Sequence, residues 1–197
     1  QRERCIRDRH LFAIDVVSGE FKWVFAIDKV TYGGGALVGS DGTIYQCVSN
    51  ASVNNVYAIA PTNGKQKWAV KLDGVIGAFP ALSADGILYC LTNKSILYAL
   101  DVANQGSIKW QKQLDAVVLD KKGNVYAGTN ATIYAFNSKG EPLWTLEGDN
   151  KVTERGAFAL NGNMLYATLK GGGLVAVDMT NGTKKWTYPT TKGDAYF

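Results

Sequence analysis

Apolar positions along this chain come in short alternating or continuous runs, and each run stops at Gly, Asn or Asp before a helix could complete three turns. The pattern predicts antiparallel β-strands joined by tight turns. In the clearest stretch the strands are expected at about 77–83, 87–93, 96–102 and 108–114. Asp85-Gly86 lies between the first two, Asn93-Lys94 between the next two, and Asn104-Gln105-Gly106 before the last. Equivalent turns recur at Asp41-Gly42, Lys122-Gly123 and Asn161-Gly162, where glycine tolerates the positive φ of a tight hairpin.

The third and fourth strands of this unit recur through the whole chain. Leu11-Phe12-Ala13-Ile14-Asp15 is followed by Gly19 and Trp23, and Val56-Tyr57-Ala58-Ile59 by Gly64 and Trp68. Leu97-Tyr98-Ala99-Leu100-Asp101 is followed by Gly106 and Trp110, and Ile133-Tyr134-Ala135-Phe136 by Gly140 and Trp144. Leu174-Val175-Ala176-Val177-Asp178 leads to Gly182 and Trp186. The tryptophans are 45, 42, 34 and 42 residues apart, the length of a four-stranded propeller blade. A blade cannot bury both of its faces alone, so the repeats predict one all-β domain over 1–197, a β-propeller of four-stranded antiparallel blades. The blades are expected at 33–72, 77–114, 115–147 and 156–188, with a mixed blade built from 193–197 and 1–26. Pairing the two chain ends in that mixed blade would close a ring of five. A window from a larger propeller has the same phase.

Within each repeat, Gly carries the chain through the turn, the small Ala leaves room, and Trp fills it. A buried indole brings roughly 150 to 250 Å² of contact, about 4 to 6 kcal/mol before entropic corrections. The spacing Ala-x-Asp-x-x-[Thr/Ser/Asn]-Gly-x-x-x-Trp resembles the tryptophan-docking motif of pyrroloquinoline-quinone-like β-propeller repeats. Residues 13–23 and 176–186 fit it fully. Residues 58–68 carry Ala60 in place of Asp, 99–110 hold one extra residue, and 135–144 are one shorter with Asn137 for Asp. The resemblance implies that all five tryptophans dock between neighbouring blades.

Composition adds little to this picture. The net charge of +4 is modest, and only Arg2, Arg4, Arg7 and Arg9 cluster. That stripe is read as a solvated or partner-facing edge, with no nucleic acid expected. No apolar run is long enough for a transmembrane helix, so any membrane association is expected to be peripheral, through a partner. The first residue is Gln, and the chain is read as a mature, trimmed or partial product. Counting back from the aromatic before each Ala places Cys5, Cys47, Cys90, Ala127 and Ala167 at one small-residue position, which favours packing over disulfide or metal roles. His10 has no partner histidine and is expected in a surface turn. Asn50, Asn93, Asn130 and Asn181 head glycosylation-type sequons; three fall in the same turn of successive repeats, where Asn suits the backbone.

The resemblance also bounds the chemistry. Quinone-dependent alcohol dehydrogenases of the family hold their quinone with Ca²⁺, an adjacent-cysteine disulfide and a catalytic Asp, whereas the three cysteines here are dispersed. Other members bind no cofactor and serve as scaffolds in outer-membrane assembly or as luminal sensors. The expected function is therefore a non-catalytic scaffold that binds proteins, without a cofactor and outside the cytosol, in a periplasm, a secreted state or an organelle lumen. A fragment of a quinone-dependent oxidoreductase is the alternative, and a glycan-binding propeller using Tyr32 and Tyr196 is a third. Loops on a rigid scaffold carry binding. Tyr32 and the 147–156 loop, with Asp149, Lys151, Glu154 and Arg155, are the candidate partner surface.

Overall fold

The computed structural model describes residues 10–27, 32–33, 36–49, 53–76, 80–129, 132–147, 158–169 and 173–189. Blade 1 shows β1 (His10–Ile14) and β2 (Phe21–Ala26). Blade 2 has β3 (Tyr32–Gly33), β4 (Leu37–Val38), β5 (Ile44–Ser49), β6 (Asn54–Ile59) and β7 (Gln66–Lys71). Blade 3 comprises β8 (Ala81–Leu82), β9 (Ile87–Leu91), β10 (Ile96–Asp101) and β11 (Ser107–Gln113). In blade 4 are β12 (Ala116–Leu119), β13 (Val125–Thr129), β14 (Thr132–Phe136) and β15 (Pro142–Leu146). Blade 5 holds β16 (Phe158–Asn161), β17 (Met164–Thr168), β18 (Leu174–Asp178) and β19 (Lys184–Tyr188). Every sheet is an antiparallel meander; in blade 2, β3 and β4 both pair with β5. No helix occurs among the described residues, and none long and apolar enough to cross a membrane.

The inner strands are buried on both faces, which explains their near-continuous apolar runs. Side chains alternate across a strand, so each blade gives one face to the blade before it and the other to the blade after. In β9, Leu88 and Cys90 join the cluster shared with blade 2, while Ile87 and Tyr89 join the one shared with blade 4. A third cluster fills the seam between blades 4 and 5 around Ile133, Leu165 and Val175. The core is thus a series of inter-blade seams.

Register explains the Ala and Trp of the motif. Ala13, Ala58, Ala99, Ala135 and Ala176 lie directly opposite Trp23, Trp68, Trp110, Trp144 and Trp186 in the same blade. Immediately after each Ala the register shifts, because the fourth strand carries one extra residue: Lys22, Lys67, Lys109, Leu143 or Lys185. Such a bulge re-aims the side chains beside it.

Two expectations meet the structure differently. Of the strand expected at 77–83, the described part forms only Ala81–Leu82, with an isolated bridge between Ile76 and Thr92 just before it. The strands invoked for closure, within 1–9 and 193–197, lie outside the described residues. A ring of five would seat Trp186 on the Gly19 turn. Among the described residues those two do not meet: Trp186 is 45% exposed, and a Cβ built on Gly19 would have nothing within 4 Å. The surface turn expected for His10 is corrected: the residue opens β1, opposite Ala26, with its side chain exposed.

Candidate interaction surface

The inter-blade seams share one plan, with parts that vary from blade to blade. The turn before the fourth strand is shaped by an Asx contact: Asp15 accepts hydrogen bonds from the Val17 and Ser18 amides at 2.9 and 3.0 Å, and Asp178 from the Thr180 amide at 2.9 Å. Asn137 does the same for the Lys139 amide at 3.0 Å. In blades 1 and 5 the bulged lysine returns to the turn, Lys22 to Asp15 at 2.7 Å and Lys185 to Asp178 at 3.1 Å, whereas Lys67 of blade 2 reaches Thr43 at 2.7 Å. The hydrogen bond from Lys22, then those from the Ser18 and Val17 amides, hold the Asp15 carboxyl well below the usual carboxylate range. For Asp178 the Thr180 amide is the larger cause and Lys185 the next. The lysine partners are exposed and the carboxylates only half-buried, so these ties shape the turn and add little stability.

The turn then presents its glycine to the preceding blade. Gly64, Gly106, Gly140 and Gly182 have φ of +67°, +73°, +80° and +72°. An added Cβ would lie 2.6 Å from the Trp23 ring, 2.6 Å from Trp68, 2.9 Å from Trp110 and 2.7 Å from Trp144, respectively. Only a residue without Cβ satisfies both the backbone and the ring. The indoles are also hydrogen-bonded across the seam. Trp23 Nε1 donates to the Pro61 carbonyl at 2.8 Å, Trp110 to Ser138 at 3.1 Å, and Trp144 to Met179 at 2.7 Å.

A further recurring residue, absent from the motif, completes the seam. Tyr45, Tyr89, Tyr126 and Tyr166 sit opposite the motif alanines from the second strand of each blade. A cross-strand row Tyr-Ala-Trp results, in which the small Ala lets two large rings meet. Their centroids are 5.7, 5.7, 5.8 and 5.9 Å apart for Tyr45–Trp68, Tyr89–Trp110, Tyr126–Trp144 and Tyr166–Trp186. The Tyr126 hydroxyl donates to Asp120 at 3.2 Å, and burial followed by the charge of Asp120 pushes its pKa up to about 12.

Among the described residues, the first and last blades each expose apolar surface. Phe12 and Ile14, on the outer face of blade 1, occupy the places that Tyr98 and Leu100 fill in blade 3, where they are buried against blade 2. In blade 1 they are 49% and 63% exposed, and Val16 and Val17 on the adjoining turn are almost wholly exposed. At the other end Trp186 and Tyr188 are exposed on β19, every residue of which faces solvent. One end offers an indole; the other offers a glycine turn and an apolar face.

Other candidates fall elsewhere. Asp149, Lys151, Glu154, Arg155, Asn50 and Asn130 lie outside the described residues, as do Cys5 and the arginine stripe; of Tyr32 the backbone alone, in β3, is described. Asn93 accepts from the Val75 amide at 2.8 Å, and Asn181 from the Thr183 amide at 3.0 Å, so both side chains serve turns while exposed. A cleft of about 900 Å³ between blades 2 and 3 is lined by Gly39, Asp41, Lys67, Leu82, Val102 and Gln105. No group of three or more His, Cys, Asp or Glu side chains comes together among the described residues. The shared position read for the cysteines is corrected for Cys47. Opposite Tyr98, Tyr134 and Val175 stand Cys90, Ala127 and Ala167, but opposite Tyr57 stands Gln46, and Cys47 is one residue further, opposite Val56. The longer hairpin of blade 2 shifts the count by one residue and turns Cys47 to the other face of its sheet.

Sheets stacked through docked indoles define a β-propeller protein of the pyrroloquinoline-quinone-like repeat class. Over residues 52–195 the chain matches the model of the family described as outer membrane protein assembly factor BamB, and it belongs to that family. No curated protein matches it. Among solved structures, BamB from Moraxella catarrhalis is similar at 24% identity and a TM-score of 0.64, over 86% of this chain and 53% of that one. Sqt1 from Saccharomyces cerevisiae is similar at 13% identity and a TM-score of 0.64, over 91% and 55%. The C-terminal WD40 domain of Sif2 is similar at 11% and 0.60, over 87% and 51%. These likenesses concern the fold, and the chain spans about half the length of each of these structures.

Proposed function

We propose that the chain is a non-catalytic propeller scaffold that binds protein partners within a larger assembly outside the cytosol. The observation that carries this reading is the exposed apolar surface on the first and last blades: Phe12, Ile14, Val16 and Val17 on one, Trp186 and Tyr188 on the other. Contiguous exposed apolar surface on a β-sheet marks a place where another sheet or chain packs. The repeated Asp, Gly, Tyr and Trp residues are meanwhile occupied in the seams. Membership of a family described by an assembly factor supports a role in assembly and a site outside the cytosol. Tyr32, Asp149, Lys151, Glu154 and Arg155 are proposed as a further, loop-borne part of the partner surface.

A photo-crosslinking amino acid placed at Val16, at Tyr188 and at Lys151 of the full chain in its native host tests this reading. Cross-links to a defined protein from Val16, from Tyr188 or from both are expected. Deleting 148–155 is expected to weaken capture of that protein while leaving the urea midpoint of unfolding unchanged. Cross-links from none of the three positions, together with saturable quinone and Ca²⁺ binding and dye-linked alcohol oxidation, would replace the scaffold with the oxidoreductase reading. Intact capture after the deletion would remove the loop alone.

A further inference from the structure

Because Cys47 sits one residue beyond the repeat position held by Cys90, the two side chains leave their sheets on opposite faces and meet. Cys47 in β5 and Cys90 in β9 belong to one buried cluster between blades 2 and 3, and their Sγ atoms are 3.9 Å apart. Both are free thiols in this structure, with exposures of 1% and 0%. Around them in this hydrophobic cluster are Tyr45, Val56, Ala58, Leu88 and Tyr98. Among the described residues no third ligand joins the pair to hold a metal ion, and each sulfur lies within 3.9 Å of the other.

We propose that Cys47 and Cys90 form a disulfide that ties blade 2 to blade 3 when the chain folds in an oxidising compartment. The bond, about 2.05 Å long, asks the two sulfurs to approach by roughly 1.9 Å, shared between two χ1 rotations and the seam itself. The oxidant is a disulfide, either a small one such as oxidised glutathione or that of an oxidoreductase. One protein thiolate attacks it and releases the first thiol, forming a mixed disulfide. The second protein thiolate then attacks that bond and releases the second thiol. Two cysteine thiols and one oxidant disulfide become one protein disulfide and two thiols, so protons and electrons balance.

Timing follows from burial. The hydrogen bond with Cys47, then burial, raises the Cys90 thiol well above its ordinary pKa, and exchange needs the thiolate. Exchange is therefore slow once the seam has closed. The bond forms as blades 2 and 3 dock, and afterwards it is shielded from reductants. It joins residues 43 positions apart and adds a covalent tie to a seam otherwise held by Trp68 and Gly106. Nothing in this inference depends on the scaffold reading, since a propeller with or without catalytic function would carry the same tie.

The full chain, reduced and unfolded, then refolded in a mixture of oxidised and reduced glutathione, provides the test. Intact mass should show the refolded chain lighter by two hydrogens, and alkylation in denaturant followed by peptide mapping should show one alkylated thiol, at Cys5, and a linked peptide pair containing Cys47 and Cys90. The linked form is expected to unfold at higher urea than the reduced form. Alkylation of all three cysteines, a glutathione adduct without the internal link, or a link that includes Cys5 would overturn the proposal. The Cys5→Ser variant should keep the link, and Cys90→Ser should leave Cys47 free. Should either variant fail to fold, peptide mapping of the natural sequence still decides.

Discussion

Replacing Trp68 by alanine is expected to lower the free energy of unfolding by about 3 to 5 kcal/mol, the range for a large aromatic side chain removed from a packed interior. Trp68 is only 9% exposed, lies across Gly106 of the next blade and meets Tyr45 of its own blade. Its loss opens a space opposite Gly106, which has no side chain to fill it. Trp186→Ala should behave quite differently. That indole is 45% exposed and keeps its contact with Tyr166, but no described turn lies beneath it. A cost within about 1 kcal/mol is expected for such a surface position. Urea denaturation of the full chain, checked for coincidence of fluorescence and circular dichroism, gives both values. A cost for Trp186 equal to that for Trp68 would mean that the fifth indole is docked in solution, on Gly19 or on another chain.

The second large effect is expected on the glycine side of the same seam. Gly106→Ala meets two penalties. The backbone is at φ +73°, where a Cβ costs about 1 to 2 kcal/mol, and that Cβ would lie 2.6 Å from the Trp68 ring, which adds about 1 to 3 kcal/mol of overpacking. The sum is about 2 to 5 kcal/mol. Gly19 separates the two causes, for it has φ +71° and open space around it. Gly19→Ala should therefore cost only the backbone part, about 1 to 2 kcal/mol. Equal losses at the two positions in urea denaturation would show that backbone conformation alone explains the glycine and that the indole contributes nothing to its presence.

The sequence carried the architecture because the features that specify it are local. The Gly turn, the Ala and the Trp of each copy lie within a dozen residues of one another, so their spacing survives insertions elsewhere, and Ala pairs with Trp in every blade. What was hidden depends on longer hairpins. Tyr45, Tyr89, Tyr126 and Tyr166 complete every Tyr-Ala-Trp row, yet they precede their alanines by 13, 10, 9 and 10 residues, which blurs the period. The same variation in hairpin length placed Cys47 one residue out of register and concealed its meeting with Cys90. Closure could not be read at all. The motif is identical whether Trp186 meets Gly19 or stands in solvent, since a half-seam has the same residues as a filled one. The candidate site shares this difficulty: Phe12 and Ile14 look like core residues in the sequence, and their exposures of 49% and 63% in the structure are what mark them as surface.

The central claim is that the indole of one blade and the glycine of the next act as one unit, and a double-mutant cycle on Trp68 and Gly106 tests it most directly. Gly106→Ala is introduced into the natural chain and into Trp68→Ala, and all four unfolding free energies are measured in urea. With the ring removed, the Cβ at 106 has space, so its cost should fall from about 2 to 5 kcal/mol to the backbone part of about 1 to 2 kcal/mol. An unchanged cost in the two backgrounds would contradict the docking of indole on glycine as the device that joins the blades.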